Sequence, residues 1–367
     1  MIVFIYGTTA EAIKLAPIVR RLDAQGIPYQ HWVTHQHTDS LRKAIPELGF
    51  TSPDRVIANG SRGKPLKSPI QMVGWMFDVL RWSVANVRGI RKTLPPGSVV
   101  IVHGDTMTTV LGTVIGRRLR VPVAHVEAGL RSGNWRHPFP EELDRRIVGR
   151  LAHIHYTPTQ EASDNLAHQR DVVLTHGNTA KDAVRDAAGS SAAAHAPEDA
   201  YGLVLLHRFE FISNAALVAE TLRTLDANTP LPLRLIVDQY SRDAIEQTIE
   251  QLWLTHFQVM PKLEHGEFVA ALRAADFVVT DSGGIQQEAA VLGIPTLVHR
   301  KVTESREGIG TSAVLSGWDQ TVLATFLRTS RDYRVDDVDA GASPSDIIVA
   351  DLIARGLATP AGGARSF

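Results

Sequence analysis

Short apolar runs rich in β-branched residues return at intervals along this chain, with helix-spaced segments between them, and the pattern occurs twice. The first series falls at residues 2–6, 98–103, 121–126 and 153–157, separated by stretches such as 11–22 and 108–119 whose apolar positions repeat with helical spacing. A strand apolar on both sides must be covered on both, and alternation of strand with helix supplies that cover, so the pattern predicts a parallel sheet between helix layers. The second series falls at 203–207, 233–238, 277–281 and 295–299, with helical stretches at 241–252 and 285–292. Two doubly wound α/β units account for the 367 residues, a length that suits two domains. Residues 187–201, AAGSSAAAHAPEDAY, are small and lack apolar periodicity, and read as a linker. The expected division is a first domain over 1–186, the linker, a second domain over 202–343, and a final helix and tail over 344–367 whose spacing leaves open a return to the first domain.

Composition removes several classes of function. With 38 Lys+Arg against 39 Asp+Glu there is no broad basic surface for nucleic acid. Cysteine is absent, which rules out disulfides, thiolate metal sites and thiol nucleophiles and suits a reducing compartment. The opening MIVFIYGTTA lacks a basic leader and a small-residue cleavage pattern, and reads as a first strand. The longest apolar window, residues 70–87, is interrupted by Gln71, Asp78 and Arg81, so no membrane span is expected. These features predict a cytoplasmic chain with neither membrane nor nucleic acid as partner.

In open α/β sheets ligands sit beyond the carboxyl ends of the strands, so the residues there carry the candidate chemistry. The first strand runs into Gly7-Thr8-Thr9-Ala10-Glu11-Ala12-Ile13-Lys14, a turn into a helix N-terminus that can hold an anion or serve as a plain βα turn; it has neither P-loop nor dinucleotide-fingerprint spacing. His103-Gly104-Asp105-Thr106 and His125-Val126-Glu127 then place Asp105 and Glu127 at successive strand ends, residue types suited to acid/base work. Pro140 can open a helix with Glu141 and Glu142 in its first turn, where compensation of the helix dipole explains one acid comfortably. In the second series, His207-Arg208 ends one strand, and Asp281-Ser282-Gly283-Gly284 leads into a helix where small residues let a phosphate approach backbone N–H groups, although glycine also serves ordinary turns. Glu288, about a turn into that helix, can accept hydrogen bonds from a ribose diol. The pairs His35/His37 and His153/His155 lack a third ligand of suitable spacing and are read as structural, and Trp75 and Trp82 as a helix packing face.

Taken in order, these blocks resemble the non-hydrolysing UDP-N-acetylglucosamine 2-epimerases. The matching blocks are Gly7 to Lys14, HGDT at 103–106, HVEAGLRSGN at 125–134, PFPEELDR at 138–145, HGNTAKDAV at 176–184, HR at 207–208 and DSGGIQQEAAVLGIPTLVHR at 281–300, across both predicted domains. The resemblance implies a GT-B fold, with two Rossmann-like domains facing a central cleft, and a homodimeric enzyme that takes a nucleotide sugar without cofactor or metal. It implies that Asp105, Glu127 and Glu141 move protons at the sugar while His207 assists near the diphosphate. Ser282, Gly283, Gly284 and Glu288 would hold phosphates and ribose, Lys14 and Arg145 would line the cleft, and Phe268 in EFVAAL would lie near the uracil. The implied reaction eliminates UDP to a 2-acetamidoglucal intermediate and re-adds it with the opposite configuration at C2. The C2 proton is weakly acidic and the leaving group is an anion, so a base alone does not suffice; helix N-termini and His207 must stabilise the departing diphosphate.

The chain also departs from the family pattern. G-T-R-P-E-A-I-K has Thr9 and Ala10 in place of arginine and proline, and T-E-R-P-E becomes Thr303-Glu304-Ser305-Arg306-Glu307, with Arg306 as a candidate substitute for the missing arginine. H-R-R-E-N becomes His207-Arg208-Phe209-Glu210-Phe211, and I-Q-E-E becomes Ile285-Gln286-Gln287-Glu288. A charge-assisted phosphate contact contributes about 1.5–3 kcal/mol, so these changes bear directly on which nucleotide sugar is taken. A UDP-sugar 2-epimerase is the leading reading. A hydrolase or glycosyltransferase acting on a nucleotide-linked sugar is the alternative, and retention of Asp105, Glu127, Glu141 and His207 argues against a non-catalytic binder.

Overall fold

The computed structural model describes residues 1–367 apart from 37, 62, 65, 67, 133–139, 191–198, 238–241, 304, 337–340 and 360–367. The chain divides into two compact units, Met1–Ala183 with Ala340–Phe367, and Val184–Asp339. Of the predicted linker, residues 191–198 lie outside the described residues and 187–190 complete a helix.

In the first unit, β1 (Ile2–Tyr6), β2 (Tyr29–Val33), β3 (Arg55–Val56), β4 (Val99–His103), β5 (Val123–Val126), β6 (Ile154–Thr157) and β7 (Val172–Leu174) form a parallel sheet in the order β3-β2-β1-β4-β5-β6-β7. The helices are α1 (Thr9–Ala24), α2 (Asp39–Glu47), α3 (Pro69–Thr93), α4 (Met107–Leu119), α5 (Glu141–Leu151) and α6 (Gln160–Asp164), and α7 (Ala180–Ser190) begins here and continues into the second unit. Alternate side chains of a strand face opposite ways, and β1 feeds two cores accordingly. Ile2, Phe4 and Tyr6 pack with Leu15 and Ile18 of α1 and Leu41 of α2. Val3 and Ile5 pack with Trp32, with Trp75 and Val79 of α3, and with Leu111 and Ile115 of α4. Trp75 is buried there and its indole N–H donates to the Thr34 carbonyl at 2.7 Å, while Trp82 packs partly buried against the same core.

The second unit repeats the plan. Its strands are β8 (Gly202–Leu205), β9 (Leu233–Ile236), β10 (Phe257–Met260), β11 (Phe277–Thr280), β12 (Thr296–Val298) and β13 (Ala313–Leu315), parallel in the order β10-β9-β8-β11-β12-β13. Its helices are α8 (Phe209–Ile212), α9 (Ala215–Asn228), α10 (Arg242–Gln251), α11 (His265–Ala274), α12 (Gly283–Val291) and α13 (Gln320–Thr329). The last helix, α14 (Pro344–Ala354), belongs to the first unit: Ile348, Val349 and Leu352 join the core over α1, and Asp182 accepts from the Ser343 hydroxyl at 3.0 Å and the Ser345 N–H at 2.8 Å. Strand order reverses between β1 and β4 in one sheet and between β8 and β11 in the other. At such points the loops leaving adjacent strands diverge and open a crevice, which fixes where each unit presents chemistry. Among the described residues no helix is long and apolar enough to cross a membrane.

Candidate active site

At the first unit's switch point the turn after β1 is closed by its own carboxylate. Glu11 is buried, and its Oε2 accepts from the N–H groups of Gly7 (2.9 Å) and Thr8 (2.8 Å) and from the Thr8 hydroxyl (2.9 Å); the Thr8 hydroxyl in turn accepts from the Glu11 N–H, completing a capping box. Its Oε1 accepts from the Thr106 hydroxyl at 2.7 Å, which ties the turn after β1 to the turn after β4. Burial raises the Glu11 pKa against these donors. Of the two readings of this turn, the plain βα turn suits the Gly7 and Thr8 N–H groups, which Glu11 already occupies. Gly7 is required because a Cβ would come within 2.2 Å of the Thr34 hydroxyl and 2.4 Å of the Thr108 hydroxyl.

One turn further along α1, Lys14 Nζ meets Glu127 Oε2 at 2.7 Å. Glu127 follows β5 with φ at +66°, a left-handed conformation uncommon for a side chain other than glycine, which marks a residue held in place by its surroundings. Burial works to raise its pKa, but Lys14, together with the Asn178 amide, overcomes that and holds it at about 2, so this carboxylate is ionised. His103 Nε2 stands 3.2 Å from the same oxygen, out of hydrogen-bond alignment, and burial lowers its pKa to about 3, which keeps the imidazole neutral. The neighbouring His125 braces the site from below by donating from Nε2 to the Gly104 carbonyl at 2.7 Å.

Asp105, after β4, meets Arg145 of α5 at 2.5 Å. Burial raises the Asp105 pKa, opposed by Arg145 and reinforced by Glu127. Arg145 reaches Glu142 as well, at 3.4 Å, and Glu142 is fully buried, accepting from the Ser132 N–H at 3.0 Å and from Arg146 Nε at 3.0 Å. Of the two adjacent acids at the start of α5, Glu142 is thus the structural one. Glu141 is half-buried, and its Oε2 has no hydrogen-bond partner among the described residues. Asp144, a residue the sequence did not single out, is buried with Oδ2 likewise unpartnered, and burial, then the charges of Asp105 and Glu141, push its pKa up to about 7. Lys14, Asp105, Glu127 and Arg145 therefore form two linked ion pairs, flanked on α5 by two carboxyl groups with an unsatisfied oxygen.

The second unit's switch point is organised by Asp281, whose role the sequence did not suggest. It is buried at the end of β11, and its Oδ2 accepts from the N–H groups of His207 (2.9 Å) and Arg208 (2.8 Å) beyond β8. His207 Nδ1 lies 3.5 Å from Oδ1, so the imidazole, which is 43% exposed, is oriented by Asp281 while remaining accessible. Ser282 caps α12 through Ile285 N–H, and Gly283 and Gly284 open the helix with N–H groups that have no intrahelical acceptor. A Cβ at Gly284 would meet only the Ser282 hydroxyl, at 3.8 Å, so the space above this first turn is open. Glu288 is half-buried further along α12, and Phe268 of α11 packs partly buried against the core beside α12. The loop after β12 is pinned by buried Gln286, whose amide donates to the carbonyls of Ser305 (3.1 Å) and Glu307 (2.8 Å). Ser305 points inward, where its hydroxyl bonds Glu307, and Arg306 is exposed.

Of the histidine pairs, His153 accepts from the Val123 N–H at 3.0 Å, His35 and His155 are buried, and His37 lies outside the described residues. Pro138 and Phe139 of the PFPEE block and the end of the HVEAGLRSGN block also lie outside them.

This geometry has counterparts. Residues 80–333 match the family model described as UDP-N-acetylglucosamine 2-epimerase. The UDP-N-acetylglucosamine 2-epimerase of Bacillus subtilis is 32% identical, with 89% of this chain and 87% of that protein aligned. A crystal structure of a putative UDP-N-acetylglucosamine 2-epimerase from Listeria monocytogenes superposes with a TM-score of 0.78 at 25% identity, over 97% of this chain and 96% of that one. The Neisseria meningitidis UDP-GlcNAc 2-epimerase, solved bound to UDP-GlcNAc, shares the fold with a TM-score of 0.77 at 23% identity, over 96% and 99%. Two Rossmann-like parallel-sheet units, the GT-B plan, thus coincide with a sequence match spanning most of the chain, and the protein belongs to the UDP-N-acetylglucosamine 2-epimerase family.

Proposed function

We propose that the protein interconverts UDP-N-acetylglucosamine and UDP-N-acetylmannosamine by eliminating UDP and re-adding it. The observation that carries this reading is the pair of strand-end acids in contrasting environments: Glu127 held ionised by Lys14, and Asp105 raised by burial beside Arg145. An elimination and its reversal need carboxyl groups that take the C2 proton on one face and return a proton on the other, and two acids at successive strand ends, each beside its own cation, supply the groups for those tasks. In the forward step the C2–H electron pair becomes the C1–C2 double bond and the C1–O pair leaves with UDP; re-addition reverses the order with the proton placed on the other face. Glu141, with its unpartnered oxygen beside Asp105 and Asp144, completes the proton-moving set. The first turn of α12 and His207 suit a diphosphate, and Glu288 the ribose; Phe268 is assigned to the uracil on the resemblance, and Arg306 stands as the candidate substitute for the family arginine that Ser305 replaces. Incubation with UDP-N-acetylglucosamine tests this: a UDP-linked manno product is expected, whereas free sugar with UDP would assign the protein to the hydrolases.

The reading includes a homodimer. Helix α3 presents Ile70 (84% exposed), Val73, Phe77 (73% exposed), Leu80 and Val84 (63% exposed) on one stripe, spaced alternately by three and four residues. That is the spacing of a helix-helix seam, and a contiguous apolar stripe on a chain of ordinary composition calls for a partner with matching spacing, which a second copy of α3 provides.

A further inference from the structure

We propose that the first unit carries an anion site separate from its carboxylate groups, which takes a phosphate group between Arg131, Arg146, Arg150 and His168. These residues, with Gly149 and Asn165, line a pocket of about 140 Å³ to which, among the described residues, no acidic side chain contributes. The counter-ion behind it is Glu142, already engaged by Arg145, Arg146 and the Ser132 N–H. Among the described residues the Arg150 guanidinium makes no ion pair or hydrogen bond, and Arg131 donates only to the carbonyl of its neighbour Leu130, at 2.7 Å.

The local sequence is costly unless something occupies the pocket. Arg146 and Arg150 are like charges four apart on α5, a repulsive spacing, and Gly149 is a weak helix former in the same stretch. The glycine makes room for Arg131: a Cβ there would lie 3.3 Å from the Arg131 guanidinium nitrogen Nη2 and 3.3 Å from Leu166. Attraction to the negative end of α5 accounts for Arg150 alone, but not for Arg131 from the loop after β5 or His168 from beyond α6, which converge on the same space. The surplus positive charge is felt nearby. Burial, then Arg146 and Arg145 acting against Glu142, lower the Arg131 pKa; burial and His168 push the fully buried His155 down to about 4.

Guanidinium forks around a small volume match a tetrahedral oxyanion with several acceptor oxygens, while the Asn165 amide at the pocket's edge is held by the Gly129 carbonyl at 3.0 Å. Sites for drug-sized ligands occupy about 300–1,000 Å³, so this pocket suits a phosphoryl group rather than a nucleoside.

Isothermal titration of the full chain with inorganic phosphate, pyrophosphate and glycerol 3-phosphate, in saturating UDP, tests the assignment against the double variant Arg150→Ala/His168→Ala. Both residues are exposed and outside the proposed catalytic set, so the variant is expected to fold and turn over normally; an unchanged melting temperature checks the fold. Saturable binding to the wild type, weakened about tenfold or more in the variant with UDP affinity unchanged, is the expected result. Preference for inorganic phosphate would identify a free ion as the ligand, and equal affinity for glycerol 3-phosphate a phosphorylated metabolite. Equal binding by both proteins, or none to the wild type, would overturn it. Failure of UDP to bind would count against the proposed activity instead, and the comparison between the two proteins would still decide the pocket.

Discussion

Replacing Asp144 with Asn isolates the electrostatics of the first unit's acids. Asp144 is buried, one of its oxygens has no hydrogen-bond partner among the described residues, and burial with the charges of Asp105 and Glu141 raises its pKa from 3.8 to about 7. A carboxyl with a raised folded-state pKa keeps a proton that the unfolded chain gives up. Its contribution is therefore most favourable below the unfolded value, declines as pH rises toward about 7, and is level above that. The shift from 3.8 to about 7 corresponds to about 4 kcal/mol of lost stability across that window. Asparagine has nearly the same shape and does not titrate, but it leaves a buried amide short of partners at every pH, which costs about 1–3 kcal/mol. The variant is therefore expected to be less stable than the wild type near pH ~4 and more stable by about 1–3 kcal/mol near pH ~8. Urea unfolding of both proteins at several pH values reads this directly. A stability difference that does not change with pH would refute the reasoning, because the amide penalty cannot reproduce the slope.

Other consequences follow from single contacts. Glu127→Gln and Asp105→Asn are each expected to abolish turnover while leaving UDP affinity within about tenfold, measured by calorimetry beside steady-state rates; activity retained in both would remove them from the mechanism. Glu11→Ala takes the acceptor from the Gly7 and Thr8 N–H groups and the Thr106 hydroxyl and should lower stability by about 3 kcal/mol or more; a loss below about 1 kcal/mol would show that the two turns do not depend on it. Phe77→Glu places a charge in the middle of the α3 stripe and should convert a dimer to monomer by sedimentation analysis, with an unchanged mass contradicting the seam.

Much of the fold was legible because its central strands are buried on both sides. β1, β4, β5 and β11 read as continuous apolar runs, and each begins or ends within a residue or two of the expected bounds. The flanking strands were missed for a physical reason: β2 reads YQHWV with polar Gln30 and His31 inside it, β3 is Arg55–Val56 only, and β10 carries Gln258. In the candidate site, position along the chain was legible and pairing was not. Asp105 and Glu127 announce themselves by standing at strand ends, but nothing local reveals that Lys14 comes to Glu127 across 113 positions or that Glu11 occupies the turn after β1. Glu141 and Glu142 are indistinguishable as neighbours in sequence; burial against Arg145, Arg146 and Ser132 makes Glu142 structural. Asp281 was passed over because its task, holding His207 through backbone N–H groups from another strand, leaves no trace in spacing.

The most direct test of the account is the fate of the C2 hydrogen. With UDP-N-acetylglucosamine in deuterated water, followed by proton NMR, the mechanism requires deuterium at C2 in both the gluco and the manno UDP-sugars, and no incorporation with Glu127→Gln. Interconversion that keeps the original hydrogen at C2, or release of UDP and sugar without incorporation, would contradict it.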